Sequence, residues 1–139
     1  MLSVGIVGGS GYVGQKLIEL LKDKVEIKIV TSTTLVSKVP QLNIIYTKLS
    51  IEALNKLDIV FLAVPHGKAK FFLPKLKCKV IDLTTDHRLT QTYGLPEINK
   101  DIIKKSKIIA NPGCYATACI LSVYPIKEFI SHVVFDCIS

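Results

Sequence analysis

The stretch "LSVGIVGGSGYVGQKLIELL", residues 2–21, limits the fold more than any other part of the chain. A short apolar run ends in Gly8, Gly9, Gly11 and Gly14, and apolar residues then recur at Val13, Leu17, Leu20 and Leu21. The run is that of a strand buried on both faces, the recurrence that of an amphipathic helix, and the glycines between them form a tight turn. Strand, glycine turn, helix is the opening of a parallel sheet, because parallel neighbours need a crossover between them.

The alternation continues. Val25 to Val30, "LDIVFLAVP", "KVIDLTT" and "SKIIANPG" read as further strands. "KAKFFLPKL" reads as a crossover helix limited by Pro74, and "YATACILSVYP" as a helix stopped by Pro125. The predicted fold is α/β, a doubly wound, mostly parallel Rossmann-like sheet. Gly8 to Gly14, Thr31 to Thr34, Pro65 to Gly67, Thr84 to Arg88 and Asn111 to Cys114 each follow a predicted strand. Right-handed crossovers bring such loops to one edge of the sheet, so these five are expected to converge on one cleft.

The glycine motif fits either G-x-x-G-x-x-G or G-x-G-x-x-G. Between strand and helix, it is a candidate cradle for a dinucleotide pyrophosphate, drawn to the free amides and dipole of the helix start. The second strand ends without the Asp or Glu that holds a ribose hydroxyl in an NAD site. Thr31, Ser32, Thr33 and Thr34 stand there instead, with Lys38 nearby, and hydroxyls with a cation suit the 2′-phosphate of NADP. A plain polar loop is the alternative.

In "NPGCYATA", a Pro-Gly turn precedes Cys114 and a helix follows. A cysteine is ordinarily a small buried residue, but unpaired amides at a helix start favour the thiolate that attacks carbonyl carbon. Cys119, inside the same helix, and Cys78, in a lysine-flanked loop, lack that setting. A nucleophilic cysteine beside a nicotinamide implies a thioester that is reduced to an aldehyde. Arg88 is the candidate anion binder, since a guanidinium grips phosphate or carboxylate bidentately. His66 is expected to line the cleft, His87 to support its loop, and Asp82 and Asp86 to orient it.

The 139 residues suit one domain with a single core, and 49% hydrophobic against 21% charged residues is the balance of a globular protein. Residues 1–131 are read as the dinucleotide-binding domain with the catalytic cysteine. The segment "SHVVFDCIS" reads as a strand, so 132–139 are taken as the start of a second domain. The apolar runs fall short of a membrane span and "MLSVGIVGG" is no leader, which makes the expected location cytoplasmic and membrane binding unexpected. Four cysteines without metal spacing point to free thiols and no metal site. The net charge of +7 suits an anionic substrate or an acidic partner; without a basic stripe interleaved with aromatics, nucleic acid is not expected.

Taken in order, "GIVGGSGYVG", "AVPHG", "VIDLTTDHRL", "YGLPEI" and "NPGCYATA" resemble N-acetyl-γ-glutamyl-phosphate reductases and the related archaeal reductases of carrier-linked glutamyl or aminoadipyl phosphate. The resemblance spans essentially the whole chain. It implies NADPH-dependent reduction of an acyl phosphate to a semialdehyde in arginine or lysine biosynthesis, with Cys114 as nucleophile. Gly8, Ser10, Gly11, Tyr12, Val13 and Gly14 would lie on the pyrophosphate, Ser32, Thr33 and Thr34 on the 2′-phosphate, and Arg88 on the substrate. The substrate is a small acyl phosphate or one carried on an acidic amino-group carrier protein, and a full-length member is expected to be a homo-oligomer. Aspartate-semialdehyde dehydrogenase, whose cysteine motif reads Asn-Cys-Ser/Thr, fits less well.

Four departures stand out. Thr33 and Thr34 follow Ser32 where family members often carry an arginine, which weighs against the NADP assignment. "TTDHRL" replaces the usual "SADFRL", and only Thr90, Gln91 and Thr92 separate Leu89 from Tyr93, where the family has a longer insertion. The second catalytic and dimerisation domain, expected to carry the acid/base histidine, is missing from this sequence. The alternative function is therefore a non-catalytic NADP-binding module or an inactive fragment.

Overall fold

The computed structural model describes residues 1–34 and 37–138. The N-terminal run forms strand β1 (Ser3–Val7), and the periodic segment after the glycine turn forms helix α1 (Tyr12–Leu21). Then come β2 (Glu26–Val30), α2 (Ile51–Leu54), β3 (Ile59–Leu62), α3 (Ala69–Phe72) and β4 (Lys79–Asp82). They are followed by β5 (Thr92–Tyr93), α4 (Pro96–Lys105), β6 (Ile108–Ala110) and α5 (Cys114–Val123). The sheet order is β2-β1-β3-β4-β6-β5 and these pairings are all parallel, which is the expected doubly wound, Rossmann-like architecture.

The strand period of two divides the core into two layers. Val4 and Ile6 of β1 pack with Ile18 of α1, Val30, Val39 and Tyr46 on one face. Val7 joins Leu54 of α2, Val60 and Leu62 of β3, Ala69 of α3 and Val80 of β4 on the other. Each fully buried aliphatic side chain contributes about 1.5–3 kcal/mol, so β1, covered on both faces, is the natural anchor of the sheet. The carboxyl ends of the central strands are thereby fixed, and the candidate loops leave from them.

The structure departs from the sequence reading in five places. Helix α2 falls in a stretch to which the sequence reading assigns no element. Residues 96–105 form α4, which the reading left unassigned; Pro96 opens it and none of its residues is buried. β5 has only two residues, too few to show a period. "KAKFFLPKL" is α-helical only over Ala69–Phe72 and tightens into a 3₁₀ turn over Leu73–Lys75, because Pro74 has no N–H to continue the ladder. The strand expected in "SHVVFDCIS" does not form: residues 132–138 carry no regular structure, and no described strand pairs with them. Ser139 lies outside the described residues. Among the described residues no helix is long and apolar enough to cross a membrane.

Candidate active site at the carboxyl edge of the sheet

The glycine loop is built into the sheet before any ligand is considered. Gly8 has φ +84°, and a Cβ there would lie 2.4 Å from the carbonyl oxygen of Ala63 at the end of β3. A Cβ at Gly14 would lie 2.5 Å from the Gly8 carbonyl oxygen, so α1 can start directly on the loop only with glycine there. Thr31, buried at the end of β2, accepts the Gly8 N–H on its hydroxyl at 3.2 Å and the Gly9 N–H on its carbonyl at 2.9 Å. The Ser32 hydroxyl donates to the Ser10 hydroxyl at 3.0 Å, joining the two loops again.

This stitching leaves the helix start exposed. Gly11 caps α1 without a side-chain hydrogen bond, and no acidic residue stands in the first turn. The amides at Tyr12, Val13 and Gly14 therefore have the arrangement that attracts an anion. A cleft of about 290 Å³ opens beside the loop. Gly8, Ser10 and Gly11 line it from the glycine loop, Thr31, Ser32 and Thr33 from β2, and Ala63, Val64 and Pro65 from β3. Glycines, hydroxyls and apolar Leu49 and Phe72 together in one lining suit a dinucleotide.

The expected cofactor residues separate into groups. Gly8, Ser10, Gly11, Ser32 and Thr33 line the cleft. Tyr12 and Val13 point into solvent, leaving their main-chain amides as the contribution to an anion site, and Gly14 is buried under the loop. Thr34 stands outside the lining, its N–H donating to the Ser32 hydroxyl. Lys38, expected near the 2′-phosphate, is outside the lining of this cleft and faces a separate depression with Lys28 and Thr47. Among the described residues no Asp or Glu lines the cleft. Leu49 and Phe72 also line the cleft, and no motif marks either: Leu49 precedes α2 in a stretch without regular elements, and Phe72 ends α3.

The second half of the edge centres on Asp82, fully buried at the end of β4. Its carboxylate accepts the Thr84 N–H at 2.9 Å and pairs with Nδ1 of His87 at 2.6 Å. Its main-chain oxygen accepts the Asn111 N–H at 2.8 Å. Asn111 in turn accepts the Nε–H of Arg88 on its carbonyl at 3.0 Å. A Cβ at Gly113 would lie 2.9 Å from Nη1 of Arg88, so the guanidinium rests against that glycine. Among the described residues the two terminal nitrogens of Arg88 have no acceptor. Gly113 caps α5 without a side-chain bond, and the next residue is Cys114, exposed at the helix start. A cation and an accessible thiol thus share one mouth. Cys78 is of another kind: it packs against the core, and burial pushes its thiol up.

Hydrogen bonds also join β4's loop to the one after β3. Asp86 accepts the Gly67 N–H at 2.6 Å and the Lys70 N–H at 3.4 Å. Burial, the largest single influence, works to raise its carboxyl, but the Gly67, Lys70 and Ala69 amides and the Thr84 hydroxyl together hold it below the usual carboxylate range. His66 accepts the Thr85 N–H on Nδ1 at 3.1 Å and is exposed, so it ties the loops and Pro65 takes the wall of the cleft. The five loops expected at one edge are found there, in two linked groups.

Residues 3–106 match the family model described as semialdehyde dehydrogenase, NAD binding domain. A LysW-linked L-2-aminoadipate/L-glutamate phosphate reductase of Pyrococcus horikoshii is 37% identical across 98% of this chain and 50% of its own length. The N-acetyl-gamma-glutamyl-phosphate reductase of Karelsulcia muelleri is 40% identical over 92% of this chain and 46% of its own. The chain thus spans about half the length of the curated relatives it matches. Among solved structures, the aspartate semialdehyde dehydrogenase of Francisella tularensis superposes with TM-score 0.74 at 23% identity. That match covers 93% of this chain and 41% of the dehydrogenase, a likeness of fold.

Proposed function

Because the chain belongs to the family of semialdehyde dehydrogenase NAD-binding domains, we propose that it supplies the dinucleotide site and the acyl-accepting cysteine of an acyl-phosphate reductase. The observation that carries this reading is the Arg88 guanidinium lying against Gly113, one residue from Cys114 at the start of α5. An acyl phosphate needs both a cation for its anionic groups and a nucleophile for its carbonyl carbon, and this mouth offers both.

In this reading the Cys114 thiolate attacks the acyl carbon, the bond from carbon to the phosphate oxygen breaks, and inorganic phosphate leaves with that electron pair. Arg88 holds an anionic group of the substrate, and the unpaired amides at the start of α5 face the charge that develops on the carbonyl oxygen. The product of this half-reaction is a thioester on Cys114. When bound, a nicotinamide dinucleotide would supply a hydride to the thioester carbon, and cleavage of the C–S bond would release the aldehyde and return the Cys114 thiolate. The start of α1, with Gly8, Ser10 and Gly11, would hold its pyrophosphate. Ser32 and Thr33 at the end of β2, with no carboxylate beside them, favour NADP over NAD.

The names of the relatives direct the substrate toward a glutamyl or aminoadipyl phosphate, N-acetylated or LysW-linked; arginine or lysine formation is what the sequence resemblance implies. The net charge of +7 suits the acidic carrier. The test is NADP-dependent, phosphate-dependent oxidation of N-acetylglutamate semialdehyde, with NADP binding measured in parallel. Turnover that disappears in Cys114→Ala supports the reading. Binding of NADP with neither turnover nor acylation of Cys114 overturns it and leaves a dinucleotide-binding module.

A further inference from the structure

Besides Cys114, α5 carries Cys119, and the sulfur of Cys119 lies 3.9 Å from that of Cys137. Cys119 is half-buried and Cys137 exposed. The Tyr115 hydroxyl, on the same helix, donates to the carbonyl of Ile138 at 3.0 Å. The end of the described chain is therefore held on α5 at two points, although among the described residues no strand pairs with residues 132–138. A disulfide needs its sulfurs about 2.05 Å apart, so the pair closes with a movement of about 2 Å by a segment without a hydrogen-bond ladder to resist it.

We propose that Cys119 and Cys137 form a reversible disulfide, a modification site that fastens residues 131–138 to α5. The oxidant is a low-molecular-weight disulfide. The Cys137 thiolate attacks one of its sulfurs and displaces the first small thiol; the Cys119 thiolate then attacks the Cys137 sulfur of the mixed disulfide and displaces the second. The protein loses two hydrogens as protons and two electrons pass to the oxidant, which leaves as two thiols. Partial burial, with contact to Cys137, pushes the Cys119 thiol up, so the exposed Cys137 makes the first attack and Cys119 reacts only once the mixed disulfide is held beside it. Cys114 does not compete: five residues earlier on a helix of about 100° per residue, it projects about 140° away around the axis.

The pair needs no substrate and no cofactor, so its test is independent of the proposed reaction. The reduced full chain is incubated with oxidised glutathione, quenched in acid, alkylated and digested with trypsin. The expected result is a Cys119 peptide joined to the Cys137 peptide and released by reductant, although the chain is cut between them after Lys127. Cys78 and Cys114 are alkylated throughout, and in Cys137→Ser the joined peptide is absent. Alkylation of both Cys119 and Cys137 at a poise that oxidises a dithiol peptide control overturns the proposal. So does pairing of either with Cys114 or Cys78.

Discussion

Gly113 is the residue on which the candidate site turns, because the space its missing side chain leaves is filled by Arg88. In Gly113→Ala the new methyl meets the far end of a flexible side chain at 2.9 Å, so Arg88 moves and the fold does not. Stability is expected to change by no more than about 0.5 kcal/mol. Protection of Cys114 from iodoacetamide by inorganic phosphate should fall several-fold; unchanged protection would remove Arg88 from the site. Gly8→Ala is the opposite case. A positive φ and a backbone oxygen 2.4 Å away leave no escape, and a loss of about 2–4 kcal/mol is expected in urea unfolding. Asp82→Ala strands the Thr84 N–H and the His87 ring and should cost about 2–3 kcal/mol by the same measurement. That Asp82 and His87 support their loop could be read from the sequence, since a polar residue ending a buried strand must find a partner. That Arg88 rests on Gly113 could not, because only the sheet order brings β4's loop beside β6's.

Between elements, the most testable joint is Asp86, which ties β4's loop to the Gly67 and Lys70 amides. Its folded carboxyl is held below the unfolded value, so the joint is fully present above that value, near pH 4, and is lost as the pH falls through the folded one. Hydrogen exchange at Gly67 and Lys70, corrected for the intrinsic rate, should lose protection as the pH drops from about 5 to 3. Asp86→Asn should show weak, pH-independent protection, and a wild-type profile in that variant would contradict the assignment. The elements that the sequence revealed are those whose pattern runs to completion. β1 and α1 are covered on their core faces, so strand and helix periods are both legible. α4 buries none of its residues, β5 is shorter than one period, and a strand over 132–138 has no described partner; in each, packing rather than local pattern decides the outcome.

For the whole molecule, parallel order carries five loops to one edge, and that follows from alternating strands and helices before any contact is known. The division of that edge was not legible: hydroxyls and glycines gather around one cleft, and the cation and thiol meet at a neighbouring mouth, joined through Asp86 and His66. In the proposed reaction Cys114 accepts the acyl group and Arg88 assists it. The direct measurement is intact-protein mass after brief incubation with N-acetyl-γ-glutamyl phosphate and an acid quench, without nicotinamide. One acyl group per chain, mapped to Cys114, absent in Cys114→Ala and formed at least tenfold more slowly in Arg88→Met, is the predicted result. A chain that gains no acyl group, or gains it equally in Cys114→Ala, would contradict the account.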